Sequence, residues 1–321
     1  MSADQVKLGL LLPTRGVLLR GDPDAGLIFR LAERAEQAGL DSVWVGDSLL
    51  AKPRLEPLTV LAAVAARTGR VRLGTAVLLA AMRHPLLLAH ASQTLDLISG
   101  GRLVLAVGVG GAFNEAQRHE WRAVGVEPSR RARRLEELVY LLKRLGSEGQ
   151  VYFRGRHFEL DNIHLEPRPV RPAGVPILMA CHLRSGREAQ FRRAAELGDG
   201  LISISESPEA YAQIVERVRH HARQLGKDFS RMEAAVYLTV NLNPDQERAE
   251  KEADRFIISY YGMNIWQGVW GPYSTAKQLI DRIRQYAQAG AGTIIVRFAS
   301  FDQEGQLDRF VREVLPTLRS G

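Results

Sequence analysis

The sequence is poor in cysteine, in long apolar runs and in linker-like segments. Cys181 is the only cysteine, so an intrachain disulfide is impossible and a reducing compartment is expected. No apolar run approaches the roughly 20 residues of a membrane span. The opening segment MSADQVKLGLLLPTRG has no basic n-region, no long h-region and no small-residue cleavage site. A cytoplasmic protein without membrane partners is the expectation. Zinc-finger, RNA-binding aromatic and basic-zipper motifs are also missing. The formal net charge of +7 therefore does not by itself indicate nucleic acid. The densest basic run, Arg130 to Arg134, leads into Glu136 and Glu137 with amphipathic spacing, which reads as a solvated helix face. Metal ligation is not expected: His119-Glu120 lacks the second histidine of HExxH, and adjacent His220 and His221 diverge on a helix.

What the chain does contain is alternation. Eight apolar runs, VKLGLLLP, DSVWVGD, VRLGTAV, RLVLAVGVG, PILMAC, DGLISIS, EAAVYLTVNL and GTIIVRF, each precede a helical pattern. Nearly continuous apolar strands suit a parallel sheet buried on both faces. The expected fold is α/β, a (β/α)8 TIM barrel forming one domain over residues 1–321. VYFRGRHFEL reads as a small hairpin with Gly155 in its turn. An aromatic-rich segment at about 241–274 breaks the repeat and reads as an insertion between the seventh strand and its helix.

In such a barrel, function gathers where the strands end. Those ends include Gly46-Asp47-Ser48, Thr75-Ala76-Val77, Gly108-Val109-Gly110, Ala180-Cys181-His182 and Arg297-Phe298. Gly108 and Gly110 begin a G-x-G pattern, but Phe113 stands where the dinucleotide fingerprint needs its third glycine. These glycines either let the rim bend or admit a flat cofactor close to the backbone.

The ordered set RVRLGTAVL, RHPLLLAH, TLDLISGGRLVLAVGVGG and RAAELGDGLI resembles the bacterial luciferase-like superfamily. That family includes FMN-dependent monooxygenases and oxidoreductases using the deazaflavin F420. The resemblance implies a cofactor bulge at Thr75, Ala76 and Val77, with a cis Ala76–Val77 bond behind the ring. It places Gly108, Gly110 and Asn114 beside ring and polyol, although Asn114 also suits a helix cap. It assigns a phosphate to the loop of Ala180, Cys181, His182, Arg184 and Ser185, with Arg187 as a further cation. Cys181 fits the ring site or a small buried position. Two departures stand out. Asp47-Ser48 replaces the Asp-His of many relatives, and Gly111 replaces a glutamate of F420-dependent sugar-phosphate dehydrogenases. Asp47 and His182 remain as candidate acid/base groups, each with a plain structural alternative.

The resemblance implies first a two-component monooxygenase. It would use reduced FMN and O2 on a small organic substrate, with a separate flavin reductase as partner. The alternatives are F420-dependent hydride transfer and a non-catalytic flavin-binding protein. A homodimer or higher homo-oligomer is implied. Tyr260, Tyr261, Trp266, Trp270 and Tyr273 of the insertion either wall an apolar substrate pocket or pack the insertion and a dimer contact.

Overall fold

The alternation closes into a barrel. The structure, a computed structural model, describes residues 6–21, 23–204, 206–264 and 271–319. The first half runs β1 (Lys7–Leu11), α1 (Gly26–Gln37), β2 (Ser42–Val45), α2 (Pro57–Ala65), β3 (Arg72–Thr75), α3 (Pro85–Ile98), β4 (Leu103–Val107), α4 (Glu115–Ala123) and α5 (Arg131–Ser147). A hairpin of β5 (Val151–Arg154) and β6 (Glu159–Ile163) follows. The second half runs β7 (Ile177–Ala180), α6 (Ala189–Leu197), β8 (Gly200–Ile204), α7 (Pro208–Gln224), β9 (Glu233–Leu242), α8 (Gln246–Tyr261), β10 (Tyr273–Ser274), α9 (Ala276–Gln288) and β11 (Thr293–Phe298). The pieces α10 (Gln303–Arg309) and α11 (Leu315–Arg319) end the chain, joined by a π-helical turn. Eight parallel strands pair in the order β1-β2-β3-β4-β7-β8-β9-β11, and β11 returns to β1.

All eight strands read from the sequence are present, and so is the hairpin. Three helices open on an X-Pro pair, Glu56-Pro57, His84-Pro85 and Ser207-Pro208, where the missing proline N–H is not needed. The Glu56 carboxylate accepts the Thr59 N–H at 2.7 Å, and Ser207 Oγ accepts that of Ala210 at 3.2 Å. Two helices go beyond the sequence expectation: α4, and α8 inside the insertion. Trp266 and Trp270 lie outside the described residues. Among the described residues no helix is long and apolar enough to cross a membrane.

Side chains alternate along each strand. One set packs outward against the helices; the other, including Leu11, Trp44, Ala106, Leu178 and Ile295, fills the barrel. Trp44 is the largest inward plug, its Nε1 donating to Ser42 Oγ at 2.8 Å. Gly74 faces it from β3, and a Cβ there would collide with the indole. Above this layer β3 ends in a bulge. The Ala76–Val77 peptide is cis, as the resemblance implied, and pairing with β4 resumes at Leu78, whose N–H donates to Ala106 O at 2.8 Å.

Gly74→Ala is expected to lower stability by about 1–3 kcal/mol, because the buried indole has nowhere to yield. Denaturant unfolding checks this, and an unchanged midpoint would contradict the packing described.

Candidate active site

The barrel mouth has two unlike sides. On one, the inward positions that end β3, β4 and β7 are Ala76, Val77, Gly108 and Ala180. Val77 and Ala180 are half-buried against the inner core. A Cβ on Gly108 would stand 2.8 Å from Val77 Cγ2 and 3.4 Å from Ala180 Cβ, so the glycine lets bulge and β7 close together. The wall that results carries no side chain longer than valine and suits the face of a flat ring. Gly110 is different. Its φ is 74°, and its missing Cβ would run into Trp121 and Leu79. It packs against both, which fits the rim-bending alternative for this glycine.

Several expected site residues hold this wall from behind. Thr75 Oγ1 donates to Ala106 O at 2.8 Å. Asp47 Oδ2 accepts the Leu79 N–H at 3.0 Å and Arg83 Nη1 at 2.6 Å. Asp47 thus pins the outer side of the bulge, and its carboxylate is engaged rather than free for proton transfer. Ser48 Oγ donates to Glu120 Oε1 at 2.8 Å. That same buried oxygen accepts the N–H groups of Leu49, Leu50 and Ala51. Glu120, met in the sequence as half of an incomplete zinc motif, is therefore the clamp of the β2 loop. Asn114 is exposed and caps α4, its Oδ1 accepting the Gln117 N–H at 3.0 Å.

The loop after β7 has fewer free donors than its sequence suggests. The Cys181 N–H donates to Ile202 O at 2.9 Å, that of His182 to Gln190 Oε1 at 2.8 Å, and that of Ser185 to His182 O at 3.3 Å. Ser185 Oγ donates to His182 O at 3.0 Å. Cys181 follows inward Ala180, so its side chain points outward; burial pushes the thiol up to about 12. Of its two sequence readings, this placement fits the small buried position. Guanidinium groups stand on the same side of the mouth. Burial lowers the Arg184 pKa against the pull of Glu206, and burial together with Arg187 lowers that of Arg131. Arg131 Nε donates to Gly110 O at 3.2 Å. Arg131 thus leaves the expected solvated face of the basic run and stands at the rim, as does Arg134, which donates to Ala81 O at 2.8 Å. At the same rim His182 Nδ1 lies 3.6 Å from Glu206 Oε1, and Glu206 is buried.

The other side of the mouth is built from cations and tyrosines. Arg297, inward on β11 and 4% exposed, donates through Nη1 to Tyr261 OH at 2.7 Å. Its guanidinium lies 4.7 Å from the Tyr260 ring centre and 5.8 Å from that of Tyr237. Lys52 stands 4.4 Å from the centre of Tyr261, and Arg54 and Arg15 each 5.3 Å from Tyr260. Burial pushes the Tyr261 phenol up, but Arg297, Arg54 and Lys52 together pull it below its ordinary value. The insertion tyrosines were expected either to wall an apolar pocket or to pack the insertion and a dimer contact. Tyr260 and Tyr261 do reach the mouth, as partners for cations. Arg297 is the one charged residue in the strand TIIVRF, and that anomaly was its signal in the sequence.

Comparison with known proteins agrees with this architecture. A family model for luciferase-like monooxygenases matches residues 6–293. An F420-dependent glucose-6-phosphate dehydrogenase of Amycolatopsis mediterranei (strain U-32) is 30% identical, covering 90% of this chain and 93% of its own. Among solved structures, an F420-dependent secondary alcohol dehydrogenase in complex with an F420-acetone adduct superposes with a TM-score of 0.81 at 23% identity, covering 99% of this chain and 100% of its own. The monooxygenase RslO1 from Streptomyces bottropensis gives 0.82 at 24% identity, covering 97% and 99%. At those identities the structural matches show the fold.

Cys181 is expected to resist alkylation in the native protein at pH 8 and to react on unfolding, because its thiol is buried and far from ionised. Rapid native labelling that a bound cofactor blocks would return the thiol to the mouth.

Proposed function

The chain belongs to the luciferase-like monooxygenase family, and we propose that within it this protein is an F420-dependent oxidoreductase acting on a small organic substrate. The observation that carries the reading is the small-residue wall of Ala76, Val77, Gly108 and Ala180 beside three guanidinium groups, those of Arg131, Arg184 and Arg187. The wall suits the face of a flat ring. The arginines suit the anionic tail of F420, which asks for more positive charge than the single phosphate of FMN. When bound, F420 supplies hydride exchange with a substrate and consumes no oxygen. In this reading Thr75 and Asp47 keep the bulge in place. His182, whose Nδ1 lies 3.6 Å from Glu206 Oε1, is the rim imidazole that would exchange a proton with the substrate.

The sequence ranks reduced FMN and O2 first, and the relatives reverse that order. A second observation supports the reversal. A monooxygenase has to exclude water from its oxygenated cofactor, whereas the far side of this mouth is charged. The reading stops short of glucose 6-phosphate, because Ser48 and Gly111 stand where the resemblance places histidine and glutamate. A homodimer is proposed as well. Leu87, Ala91 and Ile98 fall on one stripe of α3, with Leu87 and Ile98 exposed, and light scattering should give a dimer mass rather than a monomer mass.

Fluorescence titration tests the cofactor directly. F420 is expected to bind and FMN, oxidised or reduced, to bind far more weakly. The double variant Arg184→Ala, Arg187→Ala should weaken F420 by about tenfold or more. Tight FMN binding without F420 binding would restore the monooxygenase reading. Unchanged F420 affinity in the variant would remove these arginines from the tail site.

A further inference from the structure

The cation–tyrosine side of the mouth is separate from the small-residue wall. In the closed strand order β11, β1 and β2 stand across the barrel from β4, β7 and β8. Arg297 comes from β11, Arg15 follows β1, and Lys52 and Arg54 follow β2, while the end of α8 supplies Tyr260 and Tyr261. Arg54, Arg15 and Arg297 all act on Lys52, and Tyr260, Tyr261, Tyr237 and Arg297 act on Arg54. Among the described residues neither Lys52 nor Arg54 forms an ion pair with a carboxylate, and Arg54 Nε is buried without a hydrogen-bond partner. Elsewhere in the barrel half-buried arginines are matched by acids, as Arg83 is by Asp47 and Glu56 behind the bulge, and Arg72 by Glu233 where β3 and β9 begin.

A second polar group points the same way. Thr239 sits beside Arg297 in the β9–β11 register and is 1% exposed. Its Oγ1 has no partner among the described residues. Gathering like charges around half-buried Lys52 and Arg54 is unfavourable, and aromatic faces offset only part of the cost. An oxyanion between Lys52, Arg54 and Arg297 would meet one compact ammonium and two planar forks, with a hydroxyl at hand.

We propose that this wall binds an oxyanion, a carboxylate or a phosphate ester, at the end of the substrate remote from the carbon that faces the small-residue wall. The proposal rests on the oxidoreductase reading for the word substrate. The cofactor's own anionic part is served by Arg131, Arg184 and Arg187 on the opposite arc. The site therefore sets specificity: it selects small oxidisable molecules that carry an acid group and rejects neutral ones of the same size.

The test uses the full chain without cofactor. Inorganic phosphate and acetate are titrated separately by NMR, and F420 is titrated by fluorescence on the same preparations. Saturable binding of one anion is expected; preference for phosphate assigns a phosphate ester, and preference for acetate a carboxylate. Lys52→Gln and Arg54→Gln should each weaken the anion by about tenfold while F420 affinity stays unchanged, and Arg54→Lys should recover part of the loss. Circular dichroism confirms that each variant is folded. No saturable anion binding by the wild type, or binding that survives both Gln variants, overturns the proposal. If the Gln variants lose F420 affinity instead, the wall serves the cofactor and the substrate assignment is wrong, although the F420 reading stands. If F420 fails to bind while the anion still depends on Lys52 and Arg54, the cofactor reading falls and the anion site survives.

Discussion

The period-two alternation of side chains along eight closed parallel strands governs this protein. It divides each strand end into one residue that faces the mouth and one that faces the helices. Ala180 faces in and Cys181 faces out; Ala76 faces in while Thr75 holds the wall from behind. A shift of one residue in any strand would exchange the two sets. The inner layer beneath the mouth, with Trp44 against bare Gly74, favours that register, because a side chain in place of the glycine would collide with the indole.

From this constraint the mouth acquires its two characters. Small inward residues end β3, β4 and β7, so backbone and methyl groups form a flat surface. Large polar ones stand on β9 and β11, where Tyr237, Thr239 and Arg297 rise toward α8. A flat cofactor and a charged substrate end need opposite surroundings, one bare and one rich in donors. The barrel supplies both within one ring of strands. The clamps behind it, Asp47 with Arg83 and Glu120 with the loop after β2, keep the rim in place without entering the mouth.

Much of the fold is legible in the sequence because every strand is a short apolar run followed by helical periodicity. Helix α4 is not, since EAQRHEWRA buries little beyond Glu120 and Trp121. Helix α8 has a readable stripe, Ala249, Ala253, Phe256, Ile257 and Tyr260, but its aromatic end reads as part of an irregular insertion. The site is legible only as far as the alternation reaches. The period of two by itself separates Ala180 from Cys181 and Ala76 from Thr75. Asn114 and Ser185 belong to local turns, which the resemblance alone placed at the cofactor. The pairings that decide the chemistry join residues far apart in the chain. Arg297 meets Tyr261, Ser48 meets Glu120, and Arg131 meets Gly110, and no local pattern announces any of them.

The division of the mouth is the central claim, and a crystal structure of the protein with F420 bound tests it most directly. The account predicts the ring against Ala76, Val77 and Gly108, with its anionic tail leaving past Arg131, Arg184 and Arg187 and the Arg297–Lys52 wall still open. A ring or tail seated on Arg297, Tyr261 and Lys52, with the small-residue wall empty, would contradict it.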